Sequence, residues 1–185
     1  MVTSAGVEVL GPFSTPVNYD ADLEKTISLD NYDVRDPRIT PKNFPPRRAG
    51  EAKLDIYLIC FGKPIATRKV NAELKNMKMR PAELLEVLPW AKEHPDFQRE
   101  FPIVVAGTVW IDHSLTRSRR STPVKPDKNQ NSDRYMPCLW GLRDQRALNL
   151  NLLGATFEEA VNKEWQPFCR FAAVQLRQGS KAPGE

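Results

Sequence analysis

A polar interval of 22 residues, 113–134, separates two strongly apolar runs at 101–111 and 135–140. The interval carries six basic and two acidic residues, and this surplus equals the formal net charge of the whole chain, +4. Connections inside compact domains usually have roughly 2–6 residues. The interval therefore predicts a long, basic surface loop between two strands, which any fold of this chain has to accommodate.

Composition favours one domain with an extended appendage, since 41% of the 185 residues are hydrophobic and prolines outnumber glycines by 16 to 9. Residues 1–50 contain six prolines and scattered apolar residues without helical or strand periodicity. We therefore expect an extended Pro-rich N-terminal arm at 1–50, a core domain at 51–178 that includes the basic loop 113–134, and a flexible tail at 179–185. The arm itself divides into an acidic tract at 1–34 and a basic tract at 35–48.

Apolar periodicity predicts an α+β fold, with an antiparallel or mixed sheet of five to six strands, two short helical segments over one face and the extended N-terminal arm. The helical segments are 81–97, where Pro81 stands at the first position, and 156–164, which opens on a capping-box pattern. Segment 168–176 also fits helical spacing, although alternation favours a strand. The predicted strands are 53–61, 65–70, 102–112, 134–142, 146–153 and 168–176. Segment 102–112 is apolar on both faces and is therefore the candidate for a central strand.

Two of these strands form a hairpin whose register can be predicted. The even-numbered residues of 135–142 are apolar, and so are Leu148, Leu150 and Leu152 within 146–153. If both sets share one face, paired residue numbers sum to an even number. A three-residue connection then places Trp140 opposite Leu148 and Cys138 opposite Leu150, with Trp140 in the core.

Motifs for enzyme chemistry are missing from the sequence. Gly-rich phosphate loops and a serine elbow are absent, and the histidines and cysteines lack zinc-ligand spacing. We therefore predict no enzyme, no cofactor and no metal. Apolar surroundings for Cys60, Cys138 and Cys169 indicate reduced thiols and a cytoplasmic, reducing compartment. No apolar run is long enough for a transmembrane helix, and no secretory signal is evident.

The basic loop predicts contact with a polyanion. Its composition favours Arg over Lys in the stretch 117–120, and the guanidinium fork matches phosphate geometry. Tyr135, at the loop exit, is the candidate for stacking on a base. No recognition helix is evident, so single-stranded nucleic acid or RNA is the favoured ligand. The candidate nucleic-acid-binding residues are Arg117, Arg119, Arg120, Lys125, Lys128, Arg134, Tyr135, Arg47 and Arg48.

Other interpretations stay open. The loop is also explained as a solvated connection, or as a contact for an acidic protein surface. The extended arm, mixed core and basic loop resemble small viral and phage proteins in general style. The alternative function is therefore a structural or assembly subunit of a viral particle or complex, present in host cytoplasm or virion, which forms homo-oligomers through residues 1–50.

Overall fold

The computed structural model describes residues 6–112, 133–142, 144–152 and 164–176. Four helices lie in these ranges: α1 (Leu23–Leu29), α2 (Thr67–Asn76), α3 (Leu84–Glu93) and α4 (Phe97–Glu100). The strands are β1 (Glu8–Asn18), β2 (Val34–Arg35), β3 (Glu51–Cys60), β4 (Ile65–Ala66), β5 (Met79–Pro81), β6 (Ile103–Val104), β7 (Trp110–Asp112), β8 (Asp133–Leu142), β9 (Gln145–Leu152), β10 (Glu164–Trp165) and β11 (Arg170–Gln175).

One large mixed sheet organises the described part of the chain. Seven of its strands follow the order β1-β3-β11-β6-β8-β9-β2, while β5 pairs with β11 and β7 pairs with β8. Strands β10 and β4 form a separate two-stranded sheet. The predicted α+β class with a mixed sheet is confirmed. The predicted five to six strands are corrected to nine in the large sheet, because several short strands lack a visible alternation.

Residues 1–50, which the sequence predicts to be an extended Pro-rich arm, contribute β1 and β2 to this sheet. β1 pairs with β3 at nine positions, interrupted by a bulge between Leu10 and Phe13. This bulge hides the alternation, and edge strands tolerate prolines such as Pro12 and Pro16. Gly11 belongs to the bulge at φ +113°, and a Cβ there would lie 2.7 Å from the Ile56 carbonyl oxygen.

Both faces of the sheet are buried, which corrects the prediction that helices cover only one. On one face, α1 and α3 pack over what we call the first core layer, which includes Leu23, Ile27, Ile39, Phe44, Ile56, Leu84, Ile103, Leu139 and Leu148. On the other, α2 packs over the second core layer, which includes Ile59, Val70, Leu74, Val104, Met136, Cys138 and Phe171. The N-terminal fifty residues supply four members of the first layer, Leu23, Ile27, Ile39 and Phe44.

Burial on both faces also explains why the predicted hairpin register is wrong. Leu139 pairs with Leu148, and Leu142 pairs with Gln145, so two residues connect β8 and β9. Leu139 faces the first layer, whereas Cys138 faces the second and lies opposite Asn149. Because β8 is apolar on both faces, one set of alternating residues cannot decide its register.

Trp140 is only partly buried, at the end of β8. With the Asn149 amide oriented by its hydrogen bonds, the Trp140 indole N–H donates to the Asn149 side-chain oxygen over 2.8 Å. This bond satisfies the polar end of the indole ring. The predicted core position of Trp140 is therefore replaced by a place at the margin of the second-layer face.

The predicted central strand at 102–112 is split in two. β6 lies at the centre of the sheet, between β11 and β8, as predicted. The chain then leaves β6 after Val104, turns at Gly107, where a Cβ would lie 2.4 Å from the Ala82 carbonyl oxygen, and re-enters the sheet as β7. Thr108 follows, and its hydroxyl accepts a hydrogen bond from the Leu84 N–H at the start of α3. This contact interrupts the strand and positions α3.

The remaining helix and strand predictions have mixed outcomes. The 81–97 segment is helical over α3, which continues through Pro89, but Pro81 itself ends β5. The predicted strand at 65–70 is β4 followed by the first turn of α2. Segment 168–176 contains β11, as predicted. The predicted helix at 156–164 lies outside the described residues, apart from Glu164, which is in β10.

A domain boundary at residue 50 stays a prediction, and truncation tests it. We expect that deleting residues 1–48 abolishes cooperative unfolding, because this segment supplies β1 and four side chains of the first core layer. Thermal melting followed by circular dichroism measures the transition. A truncated chain that still melts cooperatively would support the boundary and contradict this expectation.

Two positions in α1, one buried and one exposed, test whether this N-terminal helix stabilises the core. Ile27 is 2% exposed and Leu29 is 65% exposed. We expect Ile27→Ala to lower the free energy of unfolding by about 2–5 kcal/mol. Leu29→Ala should change it by less than about 0.5 kcal/mol. Equal effects in urea denaturation would show that α1 does not stabilise the core through its buried face.

Candidate nucleic-acid interface

The predicted binding residues fall into two groups. Five of them lie in the part of the loop outside the described residues: Arg117, Arg119, Arg120, Lys125 and Lys128. Four are described, of which Arg134 and Tyr135 are neighbours in β8, and Arg47 and Arg48 precede β3. The site can therefore be built from the strand ends at which the basic interval begins and ends.

The two ends of the interval lie side by side. Asp112 at the end of β7 pairs with Asp133 at the start of β8, in antiparallel register. Directly below them Ile111 pairs with Arg134, and Trp110 pairs with Tyr135. Both ends of the basic interval are thus attached to the paired ends of β7 and β8, and we call this part of the sheet the corner.

Trp110 and Tyr135 form a stacked aromatic pair at this corner. Their ring centroids are 5.3 Å apart and their planes are inclined by 28°. Both side chains are partly buried and pack against the first core layer. Directly opposed aromatic residues contribute to strand pairing, so this pair stabilises the base of the loop.

Arg38 completes the corner. Its guanidinium carbon lies 4.6 Å from the centroid of Tyr135 and 5.9 Å from that of Trp110. Asp36 holds this group with two hydrogen bonds, 2.9 Å to Nε and 2.7 Å to Nη2. Arg38 is still 42% exposed, so the cation is fixed in place without being removed from solvent.

Asp36 is in turn fastened to the sheet. Its backbone N–H donates to the Leu148 carbonyl over 3.0 Å, and its carboxylate accepts from the backbone of Arg38 and of Leu150. Burial alone would raise the pKa of the Asp36 carboxyl, but the hydrogen bonds from Arg38 outweigh it and hold the pKa below its ordinary value. The carboxylate therefore stays charged at neutral pH and keeps Arg38 oriented.

Arg47 and Arg48 have different surroundings. Arg47 donates to the Gly107 carbonyl over 3.2 Å, three residues before Trp110. Among the described residues, no ion pair involves Arg47 or Arg134. Arg48 lies 3.5 Å from the Glu83 carboxylate at the start of α3. Within the described ranges, Arg47 and Arg134 are thus cations of this region without an acidic partner.

Sequence reasoning missed two members of this corner, Arg38 and Trp110. Trp110 lies three residues before the basic interval and Tyr135 directly follows it, so only a hairpin register across the interval would have paired them. Asp36 and Arg38 are two residues apart, the spacing of an Asx-turn, in which an Asp side chain accepts a hydrogen bond from the backbone N–H two residues later. Neither signal alone indicates that the side chains of Arg38, Trp110 and Tyr135 meet.

A second polar cluster is buried around Arg146, which is 8% exposed. Its guanidinium donates to the carbonyls of Asp30 and Ala91 and to the Gln98 side chain, and lies 4.7 Å from the Tyr32 ring. These bonds tie α1, α3, α4 and β9 together. The Asp30 carboxylate is 3% exposed, and one of its oxygens has no partner within the described residues.

A third polar cluster centres on Glu86 of α3, which is fully buried. Arg80 donates to its carboxylate over 2.6 and 2.7 Å, and the Tyr19 hydroxyl and the Glu83 N–H also donate to it. Burial would raise the pKa of Glu86, but the hydrogen bonds from Arg80 hold it below its ordinary value. A charged pair satisfied in this way is a structural tie between β5 and α3.

Other places where chemistry could occur are few within the described ranges. An open cleft of about 450 Å³ lies against β1 and β3. No three His, Cys, Asp or Glu side chains of the described residues are grouped to hold a metal ion. Nor is any described helix long and apolar enough to span a membrane. The three cysteines are free and buried, as predicted.

Comparison of the chain with protein-family models, with curated proteins and with solved structures finds no match.

Asp30 generates a prediction about pH. Burial raises the pKa of its carboxyl to about 6, although Arg146 and Lys92 pull it down in part. The folded state therefore binds the proton of Asp30 more tightly than the unfolded state does. As a result, the contribution of Asp30 to the free energy of unfolding rises as pH falls from 7 towards 4. Each unit of pKa difference corresponds to about 1.4 kcal/mol.

Asp30→Asn should remove this contribution, because the amide does not titrate. We expect the difference in unfolding free energy between wild type and variant to shift by about 2–3 kcal/mol in favour of wild type between pH 7 and pH 4. Urea denaturation at four pH values measures it, and taking the difference cancels the other titrating carboxylates. A difference that stays constant over this range would contradict the prediction.

Proposed function

We propose that this protein binds single-stranded nucleic acid or RNA, without catalysis, through the basic interval 113–134 and the strand ends that carry it. Arg117, Arg119, Arg120, Lys125, Lys128 and Arg134 supply cations for phosphates, and Tyr135 supplies an aromatic ring beside them. Arg47 extends the same surface, and Arg48 adds a weaker contact because Glu83 competes for it.

The pairing of β7 with β8 carries the proposal. It brings both ends of a segment with a net charge of +4 to one corner, where Arg134 and Arg47 lie and Arg38 is fixed above an aromatic pair. Cations beside aromatic rings are the combination that single-strand binders use. A solvated connection explains the charge, and strand pairing explains the aromatic pair, but neither accounts for a guanidinium fixed over those rings.

The alternative, an assembly subunit whose N-terminal arm invades a neighbour, has less support. Ile39 and Phe44 are buried in the chain's own first core layer, together with Leu23 and Ile27 of α1. These side chains are therefore not available as anchors on another subunit. An acidic protein surface stays the other proposed class of partner for the basic interval. The proposed location is the cytoplasm, or a virion, because the three cysteines are unpaired thiols.

Replacing Arg117, Arg119 and Arg120 together by Ala tests the proposal. We expect weaker binding to a fluorescein-labelled oligodeoxythymidine and to oligouridine, because phosphate contacts are lost. The slope of log K against log salt should flatten by about 0.7 per lost contact. The melting temperature should hardly change, since exposed charges contribute only about 0–1 kcal/mol each. Fluorescence anisotropy at several salt concentrations measures both quantities.

Three exposed basic residues of α2 provide a control with the same charge change. Arg68, Lys69 and Lys75 lie on the helix that covers the opposite face of the sheet. Replacing these three by Ala should leave the salt slope as in wild type. The proposal fails if the wild-type protein shows no salt-sensitive binding to either oligonucleotide, or if both triple variants lose affinity equally.

A further inference from the structure

The arrangement of Arg38, Trp110 and Tyr135 has a feature that phosphate binding does not explain. Arg38 lies 4.6 Å and Trp110 lies 5.3 Å from the Tyr135 centroid, so on opposite faces of that ring they would be much farther apart than the observed 5.9 Å. Arg38 and Trp110 therefore do not sandwich that ring between them; they lie next to each other beside it.

Arg38 is poorly suited to bind a phosphate. Asp36 already engages Nε and Nη2 of its guanidinium and neutralises its charge within the pair. The same two bonds orient the planar group above Tyr135, so Arg38 offers a fixed flat surface in addition to the ring itself. The combination of a fixed guanidinium plane with two aromatic rings is suited to the flat face of a base.

We infer that Tyr135, with Trp110 and Arg38 beside it, is the nucleobase-binding part of the site, where one unpaired base stacks while neighbouring cations hold the phosphates. This inference rests on the proposed function and adds the chemical class that the corner selects: a single strand with an accessible base. Asp36 is a positioning residue, since it acts only through Arg38. Duplexes are disfavoured, because their bases are already stacked and paired.

The ligand itself provides the first test, without any change in the protein. Two labelled 15-mers are compared, oligodeoxythymidine and the same backbone with abasic residues at its central positions. We expect the abasic strand to bind at least about fivefold more weakly, since each stacked base contributes roughly 1–3 kcal/mol. The salt slope should be the same for both strands, because their phosphates are equal in number.

Variants then assign the effect to this corner. Trp110→Leu and Tyr135→Leu should weaken binding of the base-bearing strand at every salt concentration, with an unchanged slope and little effect on the abasic strand. Arg38→Lys should do the same, because its charge survives while the plane and the paired hydrogen bonds to Asp36 are lost. Arg134→Ala is the matched contrast: it should flatten the slope and weaken both strands alike.

Trp110→Phe and Tyr135→Phe keep a ring at each position and should bind nearly as wild type does, which separates stacking from any failure of the Leu variants to fold. The inference is overturned if the wild-type protein binds both strands equally, or if the Leu or Lys variants weaken both strands by the same factor. Those results leave the proposed function standing when binding is still salt-sensitive. Absence of salt-sensitive binding to either strand overturns both.

Discussion

Burial on both faces of the large sheet is the constraint on which the rest of this structure depends. Strands β3, β6, β8 and β11 send alternate side chains into two separate core layers, so each layer needs its own cover. Helix α2 covers one layer, while α3 and the segment from α1 to Phe44 cover the other. The N-terminal fifty residues contribute a strand and part of this cover, and the buried contacts of Arg146 and Glu86 fasten the covering helices to the sheet.

The sequence predicts the elements that have one strong local signal. Alternation locates β3 and β11, apolar density locates the centre of the sheet at β6, and the acidic first turn with Pro81 nearby locates α3 approximately. It does not predict elements whose pattern depends on distant partners. The β1 bulge interrupts the alternation from Leu10 to Phe13, and Gly107 breaks a continuous apolar run because it packs on Ala82. The hairpin register is missed because β8 is apolar on both faces, so its own residues do not choose between them.

The candidate site shows the same division. Charge along the chain indicates the basic interval, and a tyrosine beside it indicates a stacking residue, because both signals are local. Arg38 is 72 residues before Trp110 in the chain, and only the pairing of β2 with β9 and of β7 with β8 brings the two together. The nearby Asp36 carboxylate then holds the Arg38 guanidinium in place through two hydrogen bonds. The positioning of the guanidinium is thus a property of the fold, while the supply of positive charge is a property of the sequence.

The side-by-side position of Asp112 and Asp133 has a consequence for how this chain can change. Paired residues on adjacent antiparallel strands lie only about 5 Å apart, a gap that even a two-residue turn can close. The cost of closing a flexible connection grows slowly with its length, by about 0.6 kcal/mol for each doubling. Insertions and deletions between these two residues therefore leave the sheet intact. This corner is therefore an attachment point at which the length and charge of the connecting interval can change without redesign of the core.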